Sequence, residues 1–255
     1  MRYLSLCTLI ILLSLGCSDS STDNGTDEVA PSIPDVTANQ PSFEFFRSKV
    51  VADLNKTTSE NYQLAAILTA AVEALMTGFS TLPASFMEIA EGEEATFNSG
   101  RWRWEYTSAG GGASVSVVLT ATVSIQETQW AMFISAVSPE VTFDDYRFMD
   151  GTIQNNENEG EWNFYSFEEE STTPAFTYTW DITSESLAQF TITFGDSDFS
   201  TIQYFLNGPD NTLFITSDSQ QQSMIYWNSD TGAGYIREGD NQICWDATQS
   251  NITCP

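Results

Sequence analysis

Phe176-Thr177-Tyr178-Thr179-Trp180-Asp181-Ile182-Thr183, with Phe190-Thr191-Ile192-Thr193-Phe194 close behind it, decides the fold class. Large apolar side chains hold every second position and Thr or Asp the positions between. That is the period of an extended strand with one face on a core and the other in water. In a helix the same residues would be scattered around the whole circumference. Aromatic and β-branched residues are also the types that pack best on a pleated surface. Both segments therefore read as half-buried strands with an aromatic inner face.

Working outward, the pattern recurs. Trp102, Trp104 and Tyr106 alternate with Arg101, Arg103 and Glu105, and Val115, Val117, Leu119, Ala121, Val123 and Ile125 alternate mostly with Ser and Thr. The breaks carry turn residues: Gly110-Gly111-Gly112, Asp150-Gly151, Gly208-Pro209-Asp210-Asn211, Asp230-Thr231-Gly232 and Gly239-Asp240-Asn241. Connections this short leave no room for crossover helices, so the sheet is antiparallel and largely a meander. About eleven strands at ~4.8 Å each would make a flat sheet roughly 53 Å wide. One helix covers about 10 Å of such a face, so a flat sheet would leave its aromatics in water. The sheet must curl, fold into two layers or leave a lined cavity.

Ahead of the strands the period is helical. From about Thr58 to Thr77, Leu64, Ile67, Leu68, Ala71, Val72, Leu75, Met76 and Phe79 recur at three- and four-residue steps. Thr57 and Glu60 have capping-box spacing, and Gly78 followed by Pro83 predicts the end. A shorter helix is expected around Phe43 to Leu54, with Phe43, Phe46, Val50 and Leu54 inward. The stripe lacks a basic flank, so it reads as core packing rather than as a membrane-surface helix. The expected fold is mainly β (α+β): a large curved antiparallel meander, barrel-like or half-barrel-like, with one or two N-terminal helices on its concave apolar face. This layout resembles the curved-sheet periplasmic lipoprotein carriers of the Lol system, without any shared motif. Gly160-Glu161-Trp162-Asn163-Phe164-Tyr165 is similar to one MORN-type hairpin element.

The N-terminus gives an address. Met1, Arg2 and Tyr3 precede an apolar run from Leu4 to Leu15, a charged start and short hydrophobic middle suited to export. A membrane span would need about 20 apolar residues. The run ends in Leu13-Ser14-Leu15-Gly16-Cys17, which resembles a bacterial lipoprotein signal. The resemblance implies cleavage before Cys17, a covalent lipid on its thiol, anchoring of the chain to a membrane, and a place in the cell envelope. Ser18 after the cysteine favours the outer membrane under the enteric sorting rule. Residues 1–16 are then the signal. Residues 17–41, rich in Ser, Asp, Thr, Asn, Gly and Pro, are expected to be a disordered tether. Residues 42–255 form a single domain.

Charge and residue counts narrow the function. Lys and Arg total 8 against 35 Asp and Glu, for a net charge of -27, and there is no His. Such a surface repels nucleic acid and anionic headgroups, and suits solubility in a saline medium or cation binding. The lack of His removes Ser-His and Cys-His nucleophile pairs and most zinc sites. With Cys7 in the signal and Cys17 lipidated, Cys244 and Cys254 remain, and in an oxidising compartment they read as a disulfide.

Carboxylates are the remaining chemistry: Asp144-Asp145, Glu168-Glu169-Glu170, Glu157, Glu159, Glu161, and Asp196 with Asp198. A glycosidase needs a carboxyl pair across a sugar site. Asp196-Ser197-Asp198 and Asn155 to Glu161 offer oxygen ligands for Ca2+, without the pattern of an EF-hand loop. Arg101 and Arg103 are expected to pair with carboxylates across the strands. Trp102, Trp104, Tyr106, Tyr178, Trp180 and Phe190 either fill the core or line an apolar cavity. The expectation is a non-enzymatic envelope lipoprotein, without a cofactor, that binds an apolar ligand or docks an envelope protein. A structural or adhesion-like protein with a fully packed core is the rival, and a carboxylate-based carbohydrate enzyme the third reading. An apolar cavity of several hundred Å3 would favour the first.

Overall fold

The computed structural model describes residues 29–47, 59–139, 142–167, 172–195, 199–217, 219 and 221–255. After a helical turn at 44–47 and one long helix, α1 (Glu60–Glu91), come fourteen strands. They are β1 (Thr96–Asn98), β2 (Arg101–Gly110), β3 (Ala113–Val123), β4 (Glu127–Val137), β5 (Thr142–Gln154), β6 (Glu159–Phe164) and β7 (Phe176–Ser184). Then follow β8 (Leu187–Phe194), β9 (Phe199–Asn207), β10 (Asp210–Ser217), β11 (Gln222–Asn228), β12 (Gly234–Glu238), β13 (Asn241–Trp245) and β14 (Asn251–Ile252). All fourteen make one antiparallel sheet in sequence order, a complete meander, as the short turns require. The count exceeds the eleven expected partly because the edge strands β1 and β14 have only three and two residues, too few to show a period.

Thirteen strand spacings amount to roughly 62 Å of sheet, whereas α1 is about 48 Å long. The helix nevertheless touches β2 and β3 at one end of the sheet and β12, β13 and β14 at the other, so the sheet curves around it without closing. Near the helix start, Asn61 Nδ2 donates to the Cys244 carbonyl at 3.0 Å and Tyr62 meets Trp245 at 5.9 Å. Midway, Phe79 stacks on Phe176 at 3.9 Å, and toward the end Phe86 meets Phe148 edge-on at 6.0 Å.

α1 departs from the sequence expectation in three ways. Its N-cap is Ser59, whose Oγ accepts from the Tyr62 amide, while Thr57 lies outside the described residues. It also runs on through Gly78 and Pro83 to Glu91. Pro83 removes one helical donor, but it is buried in the core-facing row that continues with Phe86, Met87 and Ala90. Tertiary packing thus overrides both stop signals. Finally, the buried stripe is rotated from the one expected. Tyr62, Ala65, Thr69, Val72, Met76 and Ser80 face the sheet, whereas Leu64 and Ile67 are 42% and 65% exposed. Small side chains on the helix let its backbone approach a sheet wall whose Trp, Tyr and Phe rings supply the volume.

Three further details differ. Asp150-Gly151 is not a turn but the interior of β5, where Gly151 faces Trp162 of β6. A Cβ at Gly151 would lie 2.1 Å from the Glu161 carbonyl oxygen and 2.3 Å from the Trp162 ring. The glycine is needed for close approach, not for bending. Ile125 lies in the β3–β4 turn and is 99% exposed rather than extending the strand inward. Within the stretch read as tether, Val36 and Asn39 contact the domain: Val36 is buried, Asn39 Nδ2 donates to the Glu157 carbonyl at 3.3 Å, and the Tyr178 hydroxyl donates to the Asn39 carbonyl. Of the expected 43–54 helix, 44–47 is described, with Phe43 and Phe46 buried, and Val50 and Leu54 lie outside the described residues.

Candidate functional site

The six inner aromatics singled out from the sequence are buried or half-buried, and each is engaged. Trp102 packs on Phe97 at 4.9 Å and Trp104 stacks on Trp130 at 5.7 Å. The Tyr106 hydroxyl donates to the Phe86 carbonyl of α1 at 3.4 Å, and burial holds its pKa well above that of a free phenol. Tyr178 and Trp180 stack at 5.8 Å, with Trp180 Nε1 donating to the Glu157 carbonyl at 3.1 Å. Phe190 lies 5.9 Å from Tyr204. Of the six, only Tyr178 lines the hollow between α1 and β6–β8, whose other walls include Val36, Met76, Phe79 and Trp162. That hollow measures about 20 Å3, room for about one water.

The remaining candidates are dispersed. Cys244 and Cys254 form the disulfide, Cα atoms 5.3 Å apart, which pins the tail beyond β14 to β13. Cys17, Asp196, Asp198 and Glu168-Glu169-Glu170 lie outside the described residues. Asp144 accepts from Ser135 Oγ at 3.1 Å, and its neighbour Asp145 has a positive φ of 49° beside an irregularity in β5. Asn155 is engaged at both ends of its amide: Oδ1 accepts from Thr128 Oγ1 at 3.4 Å, and Nδ2 donates to the carbonyls of Ser124 and Ile125, both at 3.0 Å, clamping the β3–β4 turn. Arg103 pairs at 2.8 Å with Glu105 of its own strand rather than across strands. Among the described residues no group of three or more His, Cys, Asp or Glu is placed to hold a metal ion.

Larger hollows lie on the outer face. One of about 430 Å3 is lined by Asp181, Gln189, Phe205, Asn207, Asp210 and Thr212, among others. A second, of about 380 Å3, shares Asp181 and Gln189 with it and extends over Glu159, Glu161 and Thr152. Glu159 and Asp181 stand directly opposite each other across β6 and β7. Asp210 is fixed by Tyr226, whose hydroxyl donates to Oδ1 at 2.5 Å, and by Asn228 Nδ2 at 2.8 Å. These bonds hold its carboxyl below the usual carboxylate range, so it is an oriented anionic acceptor at neutral pH.

A second fixed carboxylate, Asp150, takes Arg147 Nε at 2.6 Å, the Tyr165 hydroxyl at 2.8 Å and Asn163 Nδ2 at 3.1 Å. Burial and the Asp150 bond push Tyr165 up to about 12. This network is internally satisfied and reads as structural support for β5 and β6.

The outer hollows were not foreseen from the sequence. Their signal was the loss of clean alternation in Tyr204-Phe205, Leu213-Phe214 and Tyr226-Trp227, where aromatic or aliphatic residues fall on both parities. No family model matches the chain, and comparison with curated proteins and with solved structures finds no significant match. Function is therefore argued from the residues.

Proposed function

We propose that the protein is a non-enzymatic lipoprotein of the bacterial cell envelope, anchored through Cys17, in which the helix-filled sheet is a scaffold and its outer face docks a partner. The observation that carries this reading is the distribution of space. Among the described residues, the inner rings pack on one another and on α1 beside a hollow of about 20 Å3, while the outer face carries hollows of about 430, 380 and 670 Å3. Ligand pockets for small molecules are typically about 300 Å3 or more, which weighs against an apolar cargo among these inner rings. The lipobox-like Leu13-Ser14-Leu15-Gly16-Cys17 supports the anchor, and the Cys244–Cys254 disulfide fits an oxidising compartment.

Two measurements in the native host test the proposal. Labelling with a clickable fatty acid is expected to mark the protein, and Cys17→Ala is expected to abolish both the label and membrane retention. A photo-crosslinking residue at position 189 is expected to capture an envelope component, whereas one at position 67 on α1 is not. Absence of the lipid label would remove the anchor. A stoichiometric apolar lipid extracted from the purified protein, with no capture at 189, would replace docking by carriage.

A further inference from the structure

The registers of six consecutive strands align one residue from each into a single row on the outer face. Asp181 of β7 is opposite Gln189 of β8, Gln189 is opposite Phe205 of β9, and Phe205 is opposite Thr212 of β10. Thr212 is opposite Tyr226 of β11, and Tyr226 is opposite Tyr235 of β12. Five spacings make a rail about 24 Å long that crosses the strands and follows the curvature of the sheet. Asp181 and Gln189 are exposed and the other four half-buried, so every member reaches solvent. We infer that this rail binds a linear, uncharged polysaccharide.

The chemistry along the rail fits that ligand class. A pyranose ring offers an apolar C–H face and an edge of hydroxyls that both donate and accept. Phe205, braced edge-on by Phe214 at 5.8 Å, and the stacked pair Tyr226 and Tyr235 at 5.1 Å supply flat apolar faces. Gln189 and Thr212 donate and accept, while Asp181 and the oriented Asp210 accept. Tyr226 thus has two roles, presenting a ring to the rail and aiming the Asp210 carboxylate. The strand spacing sets a regular repeat along the rail, the form of surface a linear polymer matches.

Charge selects within that class. Neither of the two joined hollows is lined by Lys or Arg, and both carry carboxylates, so an anionic polysaccharide is repelled along that half of the rail, while Arg237, two residues from Tyr235, lines a hollow beside the other end. A basic peptide would set its cations on the carboxylates and over the ring faces alike, so polylysine is the competitor that the test must exclude. This inference rests on the outer face being the working surface.

The test is affinity electrophoresis of the mature lipidated protein in detergent, through gels containing a soluble linear glucan, xylan or mannan, with hyaluronate and polylysine gels alongside. At least one uncharged polysaccharide is expected to retard the protein, and hyaluronate is not. Phe205→Ala and Gln189→Ala are each expected to weaken that retardation by about tenfold, equivalent to ~1.4 kcal/mol. Gln189 is exposed, so its variant keeps the fold and the test stands even if Phe205→Ala does not fold. No retardation by any uncharged polysaccharide, retardation by polylysine alone, or retardation unchanged in Gln189→Ala and in a folded Phe205→Ala would overturn the inference. Capture of an envelope protein at position 189 without polysaccharide binding would sink this inference while leaving outer-face docking in place. No capture and no retardation would sink both.

Discussion

At the scale of single residues, Tyr62 is the most informative. Its ring is buried among Phe45, Phe46 and Trp245, and its hydroxyl is the buried side-chain polar atom without a hydrogen-bond partner among the described residues. An unsatisfied buried hydroxyl costs about 1–3 kcal/mol, and an apolar group of the same shape removes that cost. Tyr62→Phe is therefore expected to raise the urea midpoint without changing the denaturant slope. A lowered midpoint would mean that the hydroxyl has a partner.

Titration tests the same burial. Burial pushes Tyr62 and Tyr204 up to about 12, above the value near 10 of an unfolded tyrosine. The folded state thus favours the neutral phenol. The associated stability is complete below pH about 10 and is lost as pH rises from there through about 12, by up to ~1.4 kcal/mol per unit for each group. Phenolate absorbance and loss of far-ultraviolet dichroism are expected to rise together in that window. Phenolate formation by these residues near pH 10, with the fold intact, would contradict the burial. None of this was legible in the sequence, which shows that Tyr62 lies near a helix start but not what surrounds it. The Cys244–Cys254 bridge was legible, because reading Cys7 as part of an export signal and Cys17 as a lipid site leaves one pair.

Elements divide by whether their signal is local. Strand alternation in β2, β3, β7 and β8 was readable because each residue reports its own face. The helix end was not, because Gly78 and Pro83 are strong local stop signals overruled by distant rings. Gly78→Ala separates the two accounts. Within a continuous helix, with nothing within 4 Å of the added Cβ, it is expected to stabilise by about 0.5–1 kcal/mol. Were Gly78 instead a left-handed terminus, the same change would destabilise.

The glycines inside strands follow a different rule. Gly151 faces Trp162 and Gly234 faces Trp245, and each added Cβ would also meet a backbone oxygen, of Glu161 at 2.1 Å and Tyr226 at 2.3 Å. Backbone cannot swing aside as a side chain can. Gly151→Ala and Gly234→Ala are each expected to cost about 1–3 kcal/mol or more, read as a fall in thermal midpoint. A variant as stable as the wild type would show that the Trp rings do not depend on the space the glycines leave. Asp150-Gly151 misread as a turn has the same origin: glycine marks both bends and close approaches, and only the facing strand tells them apart.

For the molecule as a whole, the sheet's curvature follows from fourteen strands of one-sided hydrophobicity wrapping the long helix α1, and that much could be reasoned from pattern and width. Which face does the work could not, because the outer rail exists only once six registers are fixed, and a slip of one residue in any strand would break it. The charge of -27 acts at this scale too. Packed into one curved sheet, carboxylates such as Glu159 and Asp181 face each other directly, and like charges so placed oppose folding. Salt weakens that repulsion as the Debye length shrinks from about 30 Å at 0.01 M to about 3 Å at 1 M.

The thermal midpoint is therefore expected to rise smoothly with NaCl across that range and to follow ionic strength rather than cation identity. Equal ionic strengths of NaCl, KCl and CaCl2 should then give equal midpoints. A saturating rise with CaCl2 at concentrations too low to screen would instead report a specific site. The first place to seek it would be Asp196 and Asp198, where substitution to Asn should then abolish the calcium response while leaving the NaCl response unchanged.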